Sequence, residues 1–158
     1  MPYALSLKNI SKTFRDIPGK PLPVVKDINL DIELGEFFIF VGPSGCGKST
    51  LLRIMSGLEK EYEGEVAFGE GIEKKDLSFV FQQFALLPWL TVYENIELGL
   101  LSKNLSLADR KEIVNREVKI LGLGRFERAY PRDLSGGMRQ RVGIARALAT
   151  DPKIIFMD

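Results

Sequence analysis

Histidine is absent from this sequence and cysteine occurs once, at Cys46. Histidine-dependent catalysis is thereby excluded within the chain, and so are an internal disulfide and any cysteine-built metal cage. Neither sign of charge is in excess: 22 Lys and Arg stand against 21 Asp and Glu, so no global field points to nucleic acid. Long apolar runs are lacking too. The longest, Phe37 to Val41 and Ile154 to Met157, are far short of a bilayer span, and the first residues carry no apolar signal segment, which predicts a cytoplasmic protein. There is no internal repeat and no low-complexity tract. What remains is an ordinary globular composition, 158 residues and 45% hydrophobic, enough for one compact core and not for a second complete domain.

The stretch Val41-Gly-Pro-Ser-Gly-Cys-Gly-Lys-Ser-Thr50 stands out from that background. It fits the phosphate-binding pattern G-x-x-x-x-G-K-[ST] at Gly42, Gly47, Lys48 and Ser49. The apolar run Phe37 to Val41 predicts a buried strand before it, and Ser49 to Ser56 a helix after it. In such a P-loop, Gly42, Pro43, Ser44, Gly45, Cys46 and Gly47 curl the backbone so that amides point at an oxygen-rich ligand. The helix adds its unpaired N–H groups and the positive end of its dipole. Lys48 supplies a mobile charge, and Ser49, followed by Thr50, a hydroxyl able to ligate Mg²⁺. The plainer alternative is a glycine-rich turn beside a surface lysine.

Before the P-loop, alternation over Tyr3 to Asp31 predicts strands, with a turn-rich insert at Arg15 to Pro23 and a second strand from Val24 to Leu34: an antiparallel layer. After it come predicted strands at Glu65 to Phe68 and Leu77 to Phe81. Thr91-Val-Tyr-Glu94 and Ser106-Leu-Ala-Asp109 have capping-box spacing; the first predicts a helix to about Leu101, the second one with Leu107, Val114, Val118 and Leu121 on one face. Ser135 to Thr150 predicts a helix with Met138, Val142, Ala145 and Ala149 at core spacing, and Ile154 to Met157 a buried strand ending in Asp158. The fold class is α/β: a P-loop NTPase core at about 36–83 and 135–158, an N-terminal antiparallel β layer at about 1–35, and a helical insertion at about 84–134.

Asp158 at a strand's carboxyl end suits the acid that a P-loop protein places near the Mg²⁺ held by Ser49, or else is a plain edge carboxylate. Ser135, Gly136 and Gly137 form a second helix start able to meet an anion, or simply an N-cap with a glycine-weakened first turn.

Leu134 to Gly137 continued by Gln140 resembles the signature motif of ATP-binding cassette (ABC) transporter ATPases, and its order with the P-loop and Ile154 to Asp158 extends the resemblance over essentially the whole chain. The resemblance implies ATP and Mg²⁺ as cofactors and a head-to-tail pair of nucleotide-binding subunits, with a homodimer as the expected partnership. Ser135 to Gly137 of one subunit would meet the γ-phosphate held by the other. It implies that Lys48, Gln82 and Asp158 are the catalytic set, that Ser49, Gln82 and Asp158 surround the metal, and that Phe14 stacks on adenine. It further implies membrane permease subunits docking beside Gln82, against Gln83 to Leu90, a location on the inner face of the cell membrane, and a soluble substrate-binding protein acting indirectly.

Ala85-Leu-Leu-Pro-Trp-Leu-Thr-Val92 with Glu94-Asn95 looks most like the ATPases of bacterial nitrate, sulfonate and taurine importers. Two other function classes remain: an ATP-binding module without turnover, and a soluble cassette ATPase of DNA repair or translation. ATP turnover tests the first; large insertions and basic surfaces, neither visible here, would mark the second. The sequence departs from the family after Asp158, where the catalytic glutamate and a later histidine normally follow. The resemblance thus implies an incomplete domain with the C-terminal part of the family fold absent, marginal stability and inefficient hydrolysis.

Overall fold

The computed structural model describes residues 3–17 and 20–158, with Pro18 and Gly19 of the turn-rich insert lying outside the described residues. It divides into two compact units, residues 1–74 with Asp158, and residues 75–157.

The first unit is built on β1 (Tyr3–Ile17), β2 (Lys20–Glu33) and β3 (Glu63–Phe68), an antiparallel sheet in the order β2-β1-β3. The central strand β1 is paired along both edges, and its consecutive residues Ala4, Leu5, Ser6 and Leu7 are all buried. The register shifts between Leu7 and Ile10, where Asn9 takes a φ of 53° and its N–H donates to Asn29 Oδ1 at 2.9 Å. This bulge changes the phase of the strand, leaving Lys8 and Asn9 exposed and turning Ile10 and Lys12 inward. The pairs Thr13 with Pro23 and Phe14 with Leu22 carry the ladder through the segment predicted as a turn-rich insert: the ladder hydrogen bonds override the local turn composition.

Helix α1 (Lys48–Met55) buries Leu51, Ile54 and Met55. The segment Phe37 to Val41, predicted to be a buried strand, forms no ladder, and all its side chains but that of the half-buried Phe40 are exposed, Phe37 at 85% and Val41 at 91%. A strand is defined by its neighbours, and among the described residues no strand pairs with this run, so its hydrophobicity alone does not make one.

The second unit has a two-stranded parallel sheet, β4 (Leu77–Val80) and β5 (Ile154–Met157), joined by three helices: α2 (Val92–Glu97), α3 (Leu107–Ile120) and α4 (Gly136–Ala149). Both capping boxes form, at Thr91 with Glu94 and at Ser106 with Asp109. α2 ends earlier than predicted and passes into a 3₁₀ turn at Leu98–Leu100. The core is helical: Val92, Ile96, Leu100, Val114, Val118, Leu123, Leu134, Val142, Ala145 and Ala149 pack together. Leu107, assigned to the apolar face from its spacing, is 75% exposed because it lies in the first turn of α3, ahead of the packed segment. β5 is only partly buried: Phe156 is inside, whereas Ile155 and Met157 are exposed, since β4 is its one partner among the described residues.

Candidate functional site

The glycine-rich loop closes on itself through Lys48. Its Nζ donates to the carbonyl oxygens of Gly42 at 2.8 Å and Pro43 at 2.9 Å, and lies 3.7 Å from Cys46 Sγ. The ammonium is thus held over a ring of backbone from Gly42 to Gly47, at the amino end of α1, where helix dipole and unpaired amides favour negative charge. Gly47 is the N-cap, at φ 100°; a Cβ there would come within 2.7 Å of the Val24 carbonyl oxygen, so only glycine lets the loop pack on β2. Pro43, Ser44, Gly45 and Cys46 are exposed, while Ser49 and Thr50 are half-buried.

Ser49 Oγ donates to Asp158 Oδ1 at 2.5 Å, a contact spanning 109 residues of sequence. The Asp158 side chain is only 8% exposed, and Arg53, one turn along α1 from Ser49, places Nη2 3.8 Å from its second oxygen. The paired hydroxyl and carboxylate are an all-oxygen donor set of the kind Mg²⁺ prefers. Among the described residues no cluster of three His, Cys, Asp or Glu side chains could cage a metal.

Phe14 is half-buried on β1, and Lys12 Nζ lies 4.8 Å from its ring centroid. Lys12, itself only 6% exposed, donates to Glu59 Oε1 at 3.2 Å and to the Glu61 carbonyl oxygen, tying β1 to the loop after α1. The Glu61 N–H and Lys12 together hold the Glu59 carboxyl below its usual pKa, the backbone hydrogen bond being the larger cause. Lys12 pairs with Val25 across the ladder, and Val24 and Val25 are the residues that Gly47 packs against. One ladder therefore carries both the aromatic side chain and the wall of the P-loop.

In the second unit, Gln82 is exposed, two residues beyond the end of β4, which finishes beside β5 at the Val80 and Met157 pair. Ser135 caps α4, its Oγ accepting from the Met138 N–H at 3.3 Å, with Gly136 and Gly137 exposed in the first turn. These residues all belong to the second compact unit, whereas the P-loop and Asp158 belong to the first.

Residues 25–158 match the protein family described as ABC transporter. The chain belongs to the ABC transporter ATP-binding family. An uncharacterized ABC transporter ATP-binding protein of Methanocaldococcus jannaschii is 46% identical over 100% of this chain and 60% of its own length. An aliphatic sulfonates import ATP-binding protein of Bacillus cereus is also 46% identical, over 98% of this chain and 61% of its own. A solved ATP-binding cassette, described as a dimeric post-hydrolysis state bound to ADP and Pi, superposes with a TM-score of 0.87 at 40% identity, over 98% of this chain and 73% of the solved one. This ABC chain thus spans about three-fifths of the length of the curated relatives it matches. The α/β P-loop class expected from the sequence is the class of these cassettes.

Sequence reasoning passed over several side chains that organise this ABC chain's site. Lys12 was open to discovery, since positions 12 and 14 share a face of a strand. Arg53 lies one turn from Ser49 in α1 and so was within reach as well. Arg146 acts on backbone carbonyls about sixty residues away and Asn95 on those of its own preceding loop, and no sequence pattern announces such bonds.

Proposed function

We propose that this chain is the ATP-binding and hydrolysing part of an ABC importer, working as one of two nucleotide-binding subunits against membrane permease subunits on the cytoplasmic face. The observation that carries this reading is the Ser49 to Asp158 contact beside a lysine-closed P-loop: a hydroxyl and a carboxylate brought together across 109 residues, at the amino end of α1.

On this reading the triphosphate lies along the amides of residues 42–50, and Lys48 exchanges the carbonyls of Gly42 and Pro43 for phosphate oxygens. Ser49 and Asp158 would hold Mg²⁺, which when bound offsets charge on the β- and γ-phosphates. Phe14 offers a flat apolar face to the base, and Lys12 keeps that face in place. Hydrolysis forms a bond from a water oxygen to the γ-phosphorus and breaks the bond to the bridging oxygen, giving ADP and phosphate. Gln82 is assigned to the approach of that water. Ser135, Gly136 and Gly137, exposed at the amino end of α4, supply amides to the γ-phosphate held by a second copy or a homologous subunit.

The importer assignment rests on relatives such as the sulfonates import protein of Bacillus cereus, and it agrees with the wording of residues 85–95. The cargo class proposed is a small anion of the sulfonate, nitrate or taurine kind, delivered by a substrate-binding protein. Trp89, 68% exposed beside Pro88, is proposed as part of the permease contact. Among the described residues no helix is long and apolar enough to cross a membrane. The test is to measure equilibrium ATP binding and steady-state phosphate release on the same preparation, with permease co-purification alongside. Binding with permease capture supports the reading. Binding without capture by any permease supports a soluble module, and no ATP binding overturns the assignment.

A further inference from the structure

The loop that follows Gln82 is bent into a conformation its residues do not favour. Phe84 and Ala85 have φ values of 60° and 44°, in the left-handed region, with no glycine at either position. Two tight backbone bonds shape the elbow, Phe84 N–H to Phe81 O at 2.8 Å and Ala85 N–H to Gln83 O at 2.7 Å. The elbow is gripped from α4 by Arg146. Its Nη2 donates to the Phe84 carbonyl oxygen and its Nη1 to the Ala85 carbonyl oxygen, both at 2.8 Å.

The arginine is itself held. A Cβ on Gly99 would lie 2.9 Å from the Arg146 carbonyl oxygen and 3.5 Å from its Cγ, so glycine at 99 lets the 3₁₀ turn lie against the arginine's stem. Gly143, one turn earlier on α4, faces Phe84 at van der Waals range. The next part of the loop is secured separately by Asn95, which is fully buried. Its Nδ2 donates to the carbonyl oxygens of Leu87, Leu90 and Thr91, and its Oδ1 accepts from the Leu87 N–H.

We propose that Arg146 is a positioning residue for the Gln82 loop, a two-pronged clasp that fixes the elbow at Phe84 and Ala85 to the same helix whose other end presents Ser135 to Gly137. α4 is 14 residues long and rises about 1.5 Å per residue, so the helix spaces the clasp and the anion-facing turn rigidly, about 16 Å apart along its axis. Displacement of the loop by a docked partner would therefore be felt by α4 directly, and movement of α4 by the loop. What Gln82 does in hydrolysis rests on the proposed function; the clasp does not.

The test is hydrogen exchange by mass spectrometry on the full chain, comparing wild type with Arg146→Met and Arg146→Lys. Loss of two charge-assisted bonds predicts at least tenfold faster exchange at residues 83–85 in Arg146→Met and a smaller increase in Arg146→Lys, whose single ammonium cannot fork. Residues 87–91, held by Asn95, keep their protection. Unchanged exchange at 83–85 overturns the proposal, and so does a loss spread evenly over 87–91 and α2, α3 and α4, which would make Arg146 a general prop of the fold. Should the methionine variant lose its helical circular dichroism, the same two criteria apply to Arg146→Lys. ATP binding by the wild type, measured in parallel, tests the functional reading independently of the exchange result.

Discussion

Replacing Lys12 by methionine probes how the strand that carries Phe14 is anchored. Methionine fills the space of the lysine stem but removes the ammonium, and with it the bonds to Glu59 and to the Glu61 carbonyl and the approach to the Phe14 ring. Breaking a fully buried pair costs about 3–5 kcal/mol because the surviving charge is stranded. Here Glu59 is 25% exposed and keeps the Glu61 N–H, and the Glu61 carboxylate is almost wholly in water, so stranding is slight. The expected loss is that of the charge-assisted bonds themselves, about 2–3 kcal/mol. For a chain of this size that lowers the midpoint of thermal unfolding by about 4–12 °C. Because two compact units need not melt together, urea unfolding should be followed by hydrogen exchange on β1 and β3, which report the first unit. Phe14, released from the cation, should also bind adenine nucleotides more weakly, by a factor of about 3 to 10. A change under about 0.5 kcal/mol in the first unit, with nucleotide affinity intact, would refute the argument that Lys12 is an anchor.

Three further outcomes follow from the same structure. The Glu59 carboxyl titrates below its usual value of 4.5, so its contribution to stability is present above about pH 4.5 and is lost as pH falls through the lowered pKa; carbon NMR of Glu59 should show the low midpoint, and Lys12→Met should raise it. Asn95→Ala should destabilise the second unit by about 3 kcal/mol or more, since a fully buried amide satisfies the Leu87 N–H and three carbonyls; a melt within 1 °C of wild type would contradict this. Alkylation of Cys46, exposed within the P-loop, should block nucleotide binding and be slowed by Mg-ATP; unchanged affinity after complete modification would sink that expectation.

The sequence made the helices legible because their signals are local. Thr91 and Ser106 reach only three residues ahead, and Val142, Ala145 and Ala149 mark one face of a helix by spacing alone. Strands were read less well because their fate depends on partners elsewhere. Phe37 to Val41 has the composition of a core strand and lies exposed without a ladder, while Thr13, Phe14 and Pro23, beside turn-forming residues, are paired. In the site, the loop at Gly42 to Thr50 was visible as a motif, whereas the junction of Ser49 with Asp158 is a tertiary fact that the motif could only suggest. The roles of Arg146 and Asn95 were not legible, since both side chains bind main-chain oxygens, which carry no mark in the sequence.

The central claim, that residues 42–50 with Asp158 form the phosphate-grasping half of an ATP site, is tested most directly by calorimetric titration of Mg-ATP into the wild-type chain, Lys48→Ala and Asp158→Asn. Saturable binding by the wild type, weakened at least tenfold by Lys48→Ala, and a Mg²⁺-dependence of affinity abolished by Asp158→Asn, is the predicted result. Equal ATP affinity in all three proteins, or none in the folded wild type, would contradict it.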